Sequence, residues 1–183
     1  MNIEIRKETQ KDYHETEEMT RRSFYNVYGP GCDEHLLVHK LRTHKDFLPD
    51  CSRIALVDGQ IAGVIMYFKC MIHGEDSDVE VASFGPLCVD HKYKNYGIGR
   101  KLLEETIPLV KEAGFPGIVI MGEPYYYPKF GFQRCREFGI TDMEGNIIYS
   151  HKDKSETVLN KSTTFIINDL LKGTYDYNMI DYT

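Results

Sequence analysis

Residues 86–105 read "PLCVDHKYKNYGIGRKLLEE". A short apolar run closes at Asp90, and a basic, polar loop follows. Two glycines, Gly97 and Gly99, then stand at the mouth of a helical pattern. Ile98, Leu102, Leu103, Ile107, Val110 and Ala113 recur as one apolar face, and Gly114 suits a C-terminal cap. Pro108 lacks a backbone donor, so it predicts a kink or an early end. Beyond it, "GIVIM" (117–121) reads as a strand covered on both faces. Residues 81–121 are therefore a strand–helix–strand crossover with parallel strands and a right-handed connection.

Working outward, "IEIR" (3–6) alternates as an opening strand. Thr9 and Asp12 resemble a capping box for a helix to Tyr28, and Asp33 suits a second helix to His44. "SRIALVDGQIAGVIMYFKCMI" (52–72) gives two strands about an Asp58-Gly59 turn. Residues 78–90 form another strand, interrupted at Gly85-Pro86. Phe132 begins a strand, Glu144-Gly145-Asn146 reads as a hairpin tip, residues 150–162 as loop and 163–167 as a strand. The tyrosine-rich tail after Gly173 has no assignment. The order implies one α/β (α+β mixed) domain over residues 1–183. A mixed, mostly antiparallel sheet would carry helices on both faces and a splayed central parallel pair.

A helix mouth has unpaired N–H groups and a partial positive charge, which suits an anion. Gly97 and Gly99 permit close backbone approach, and Lys94, Arg100 and Lys101 bring positive charge. Alone, a GxG pair marks a tight strand-to-helix turn. It is not GxxxxGK[ST], and Leu102 occupies the third glycine place of GxGxxG. Pro86 changes the reading. A proline inside the preceding strand parts it from a neighbour and leaves backbone groups to pair with an amide-bearing arm. A diphosphate at the helix mouth, joined to such an arm, describes coenzyme A.

These residues resemble the GNAT superfamily of acetyl-CoA-dependent N-acetyltransferases, in particular a subset of uncharacterised members. The signature [RQ]-x-x-G-x-[GA] reads here Lys94-Asn95-Tyr96-Gly97-Ile98-Gly99, with lysine in the first place. "YPKFGF" (127–132) is similar to the family ending Y-x-x-x-G-F, and the likeness is best over residues 50–135. The resemblance implies that the backbone of Leu87, Cys88 and Val89 binds pantetheine. It implies that Lys94, Asn95, Tyr96, Gly97, Ile98, Gly99, Arg100 and Lys101 cradle the diphosphate. Tyr127 falls where the family carries a tyrosine near the sulfur, and so is the expected general acid.

The expected reaction is direct attack of a primary amine on the thioester in a ternary complex. An alkyl ammonium with a pKa of about 10 must first lose a proton. Glu80 and Glu123 are the candidate bases near the ends of the parting strands, although Ser83 is nearer in spacing. A backbone N–H near Leu87 or Cys88 would meet the oxyanion. The alternative is a non-catalytic module that senses acyl-CoA or CoA. Acetyl-CoA is the expected co-substrate, with a small-molecule or peptide amine as acceptor, no metal, and a monomer or homodimer as the assembly.

Composition bounds these readings. With 183 residues, 42% hydrophobic and net charge −6, the chain looks globular and argues against general nucleic-acid binding. No apolar run reaches membrane-spanning length and the N-terminus lacks a secretory pattern, so a cytoplasmic protein with no membrane partner is expected. Five scattered cysteines without CxxC read as reduced thiols. Cys88 reads as a small buried residue, and His35 with His39 as surface histidines rather than a zinc pair.

Overall fold

One inserted residue sets the face of the central hairpin. In the computed structural model, which describes residues 2–73, 78–122, 125–135, 140, 149–152 and 164–165, β1 is Ile3–Arg6, β2 is Arg53–Val57 and β3 is Gln60–His73. β2 pairs antiparallel with both, and Asp58 and Gly59 turn with φ of 48° and 84°. Ala55 opposes Gly63 but Leu56 opposes Ile61, so Ala62 is the extra residue of a bulge. The bulge switches parity, and Ile61 joins Val64, Met66 and Phe68 on one face.

That face is covered by helices α1 (Tyr13–Phe24) and α2 (Glu34–Leu41), which contribute Met19, Val38 and Leu41 to its core. Both helices are shorter than expected. Asp12 Oδ2 accepts the Thr9 N–H at 2.8 Å, one arm of the capping box, but it also accepts from Arg6 at 2.7 Å. The turn Thr9–Asp12 closes on itself, and α1 starts at Tyr13. At its end Asn26 turns left-handed (φ 59°) and its side chain accepts the Gly31 N–H at 2.8 Å, which ends the helix before Tyr28. α2 closes through the His44 N–H to Leu41 carbonyl bond of 2.9 Å, a tightened last turn. Buried Arg42 joins these elements. It donates to both Glu8 oxygens at 2.9 Å, to Glu17, and to the Tyr13 carbonyl at 3.2 Å, and lies 4.0 Å over the Tyr13 ring.

Next come β4 (Val79–Val89), a 3₁₀ turn at His91–Tyr93, α3 (Ile98–Glu112) and β5 (Gly117–Ile120). β4 runs unbroken through Gly85-Pro86, against the expected interruption. β4 and β5 pair in parallel, as the crossover requires, at Ala82↔Ile118 and Ser83↔Val119. That register stops before Pro86, whose missing N–H cannot extend a ladder. α3 continues past Pro108 to Glu112 because Pro108 and Glu104, the residue whose carbonyl loses its donor, both face water. Thr106, rather than Ile107, joins its buried face. Its hydroxyl donates to the Leu102 carbonyl at 2.7 Å and pairs with the buried Tyr67 hydroxyl at 3.0 Å.

A 3₁₀ turn at Tyr127–Phe130 leads to β6 (Phe132–Arg134), β7 (Tyr149–Lys152) and β8 (Thr164–Phe165). β7 corrects the loop reading of residues 150–152: it pairs antiparallel with both β5 and β6, and ladder bonding on two sides overrides a polar pattern. β8 pairs with β3 at Ile72 and His73. The expected hairpin tip at 144–146 and the tail lie outside the described residues. Packing divides the chain into Met1–Phe68 with Phe84–Ala113, and Lys69–Ser83 with Gly114–Thr183. The second unit has its own core of Cys70, Ile72, Val81, Val119, Cys135 and Ile140. Among the described residues no helix is long and apolar enough to cross a membrane.

Candidate functional site

The first unit brings together the C-terminal half of β4, the loop after it and the start of α3. Strand alternation leaves Leu87 and Val89 half-buried and sends Cys88 inward. The Cys88 sulfur lies 3.9 Å from the Thr20 hydroxyl and 4.0 Å from the Met19 sulfur. Burial pushes its thiol up to about 12, so it is an un-ionised packing group, as the sequence suggested. Gly63 lets β3 approach behind it. A Cβ at Gly63 would stand 3.0 Å from the Cys88 carbonyl and 3.2 Å from the Ile98 and Leu102 side chains. Any Cβ here would press its neighbours apart by a few tenths of an ångström, and the glycine seats the strand and helix on either side of the loop.

Asp90 turns the chain out of β4. Its Oδ1 accepts the Lys92 N–H at 3.0 Å, and its carbonyl accepts the Tyr93 N–H at 2.8 Å. Asn95 and Gly97 are both left-handed, with φ of 69° and 76°. Gly97 occupies the N-cap of α3, so no side chain caps the first-turn N–H groups. A Cβ at Gly97 would meet nothing within 4 Å, so the space before those donors is open. Ile98, 1% exposed, anchors the turn in the core while Lys94, Asn95, Tyr96, Arg100 and Lys101 face water. Arg100 is paired with Glu104 at 3.3 Å; Lys94 and Lys101 have no ion-pair partner among the described residues. Uncapped N–H groups, an open glycine and two uncompensated ammonium groups fit a diphosphate.

The other expected residues fall in the second unit. Tyr127 is half-buried, edge-on to Tyr126 at 5.2 Å and to Phe132 at 5.7 Å between ring centres. A Cβ at Gly122 would stand 2.4 Å from the Tyr127 ring, so the ring rests over a glycine backbone. Tyr125 is 86% exposed, and Tyr126 packs on Phe130. Glu80 is the second residue of β4, near that strand's end and before the registered Ala82 and Ser83 pairs, and it is bound to Lys69 at 3.1 Å. Ser83 is buried, and Glu123 lies outside the described residues.

The histidine pair does not converge: His39 Nδ1 is 3.0 Å from Glu17, and His35 Nδ1 is 3.8 Å from the Cys32 sulfur. Among the described residues no three His, Cys, Asp or Glu side chains are grouped to hold a metal. Sequence reasoning passed over Asp90 and Gly63. An Asp closing a strand before a polar loop is a turn-forming signal, so Asp90 was readable. Gly63 had none, because its neighbours Cys88, Ile98 and Leu102 are distant in the chain.

Comparison with known proteins agrees with this geometry. Residues 13–132 match the family described as Acetyltransferase (GNAT) family. The chain is 32% identical over 140 residues to the uncharacterized N-acetyltransferase YhbS of Escherichia coli (strain K12), covering 72% of this chain and 78% of that protein. It is similar to the crystal structure of a GNAT family acetyltransferase from Brucella melitensis in complex with acetyl-CoA. There the TM-score is 0.72 at 26% identity, over 88% of this chain and 94% of that one. Escherichia coli YhbS in complex with CoA shares the fold, with a TM-score of 0.74 at 24% identity over 89% of each chain. With the family matched across the helices, the parallel crossover and the glycine loop, the chain belongs to the GNAT acetyltransferases.

Proposed function

We propose that this chain transfers an acetyl group from acetyl-CoA to the primary amine of a small molecule or peptide by direct attack, in the cytoplasm and as one catalytic domain. The observation that carries the donor reading is the mouth of α3: left-handed, uncapped and open at Gly97, with Lys94 and Lys101 unpaired among the described residues. The first-turn N–H groups would hold the diphosphate, and the backbone of Leu87, Cys88 and Val89 would pair with the pantetheine amides. An N–H of the same segment would donate to the thioester oxygen as it gains charge. Tyr127 would return a proton from its phenol to the departing thiolate. Its ring is restrained by Tyr126 and Phe132, which suits a positioned donor.

For the base, a carboxylate acting through water remains the assignment, with Glu80 and Glu123 as the two candidates. The Glu80 carboxylate is occupied by its ion pair with Lys69 at 3.1 Å. That pairing favours the second reading, a module that binds the coenzyme without turnover. Thiol release from acetyl-CoA across a panel of amines separates the two: amine-dependent release supports the transferase, and binding without release supports the module. Within the transferase reading, Tyr127→Phe is expected to lower kcat by about 10²-fold. Wild-type turnover in a folded, coenzyme-binding Tyr127→Phe variant rules out the acid role.

A further inference from the structure

The loop that leads to the α3 mouth is tied to α1 by one ion pair. Asp90 is 5% exposed and uses each of its polar groups. Its N–H donates to the carbonyl of Ala62, the bulge residue of β3, at 2.9 Å. Its carbonyl and Oδ1 take the Tyr93 and Lys92 N–H groups at 2.8 and 3.0 Å. Its Oδ2 accepts from Arg22 of α1 at 3.3 Å. Among the described residues Arg22 is the only cation paired with this carboxylate. The Arg22 side chain is 42% exposed and also binds Glu15 at 2.8 Å. It borders a groove of about 460 Å³ together with Lys92 and Tyr93.

Asp90 is a buried negative charge at the root of a loop built to receive a dianion. Uncompensated, it would be costly in itself and would oppose the ligand. With Arg22 in place it is neutralised, and its hydrogen bonds hold the backbone of Lys92 and Tyr93. We propose that Arg22 is a positioning residue. By pairing with Asp90 it fixes the 91–97 loop, and thereby sets affinity for the diphosphate of coenzyme A without touching it. This inference rests on the coenzyme A reading of the α3 mouth.

The test uses Arg22→Gln, Asp90→Asn, their double variant and Arg22→Lys. Coenzyme A affinity is measured by calorimetry and amide exchange at residues 92–97 in the ligand-free protein. Arg22→Gln is expected to weaken coenzyme A binding by about tenfold and to speed exchange at Lys92 and Tyr93, with kcat at saturating acetyl-CoA within about twofold of wild type. Asn at position 90 still accepts the Lys92 N–H but carries no charge. The double variant is therefore expected to bind as Asp90→Asn does, and Arg22→Lys to stay within about threefold of wild type. Glu15→Gln, which removes only the exposed partner, should change neither readout. Exchange unaltered by Arg22→Gln, or effects of the two substitutions that multiply, overturns the Arg22–Asp90 link. A wild-type protein that does not bind coenzyme A overturns the donor reading, and the claim on affinity with it, whatever the exchange shows.

Discussion

Replacing Gly97 with Ala separates the two roles given to that glycine. The residue is left-handed, with φ of 76°, where a Cβ costs about 1–2 kcal/mol. Removing glycine freedom from the unfolded chain returns about 0.4–1 kcal/mol. The net loss is thus about 0–1.6 kcal/mol, and for a chain this size it lowers Tm by up to about 6 °C. Because the Cβ would meet nothing within 4 Å, the ligand-free fold has room for the methyl group. The conflict arises only where the diphosphate would stand. Displacing one or two charge-assisted N–H bonds, worth about 1.5–3 kcal/mol each, weakens coenzyme A binding by at least about tenfold. Thermal melting and calorimetry measure both. Gly97→Asn sharpens the comparison, since asparagine tolerates the left-handed region: it should melt closer to wild type yet bind as poorly as alanine. If Gly97→Ala loses stability as worked but binds coenzyme A like wild type, the open space at Gly97 is not the ligand's, and the cradle assignment falls.

Two further outcomes are expected. Gly63→Val forces a side chain against the Cys88 carbonyl and the Ile98 and Leu102 side chains, and should destabilise by about 1–3 kcal/mol; an unchanged urea midpoint would show that the hairpin has slack behind β4. Asp12 is held well below the usual carboxylate range, chiefly by the Arg6 guanidinium and then by Thr9, against the opposing effect of burial. Its folded-state pKa is depressed, so its contribution is complete above the unfolded value of about 3.9 and fades as pH falls through the lower folded value. Asp12→Asn should therefore trail wild type in urea midpoint at pH 7, with the gap narrowing as pH falls below about 4; a constant gap contradicts the assignment.

The features legible in the sequence were those written in neighbouring residues. Asp58-Gly59 between two apolar runs gave the hairpin, and Ile98, Leu102, Leu103 and Val110 gave the buried face of α3. Gly97 after a strand gave the helix mouth. Contacts between residues distant in the chain decided the rest. Asp12 looked like a capping residue, but Arg6 shares it. Thr106 looked polar, but Tyr67 and Leu102 satisfy its hydroxyl in the core. Residues 150–152 read as loop, and belong to a strand because β5 and β6 flank it. In the candidate site the loop residues were readable from local chemistry. The Lys69 partner of Glu80, the glycine beneath Tyr127 and the Arg22 partner of Asp90 were not, because each depends on how separate segments meet.

Arg42 bears on how this chain can diversify. Its guanidinium reaches the connection after β1 through Glu8, and α1 through Glu17 and the Tyr13 carbonyl, from a position directly after α2. Lysine has neither the forked geometry nor enough donors to serve these partners together. The exposed connection between α1 and α2, with Tyr28 77% accessible, therefore carries little of the burden of keeping the two helices in register. Its length and composition are open to drift, so descendants can present different surfaces there on an unchanged helical frame.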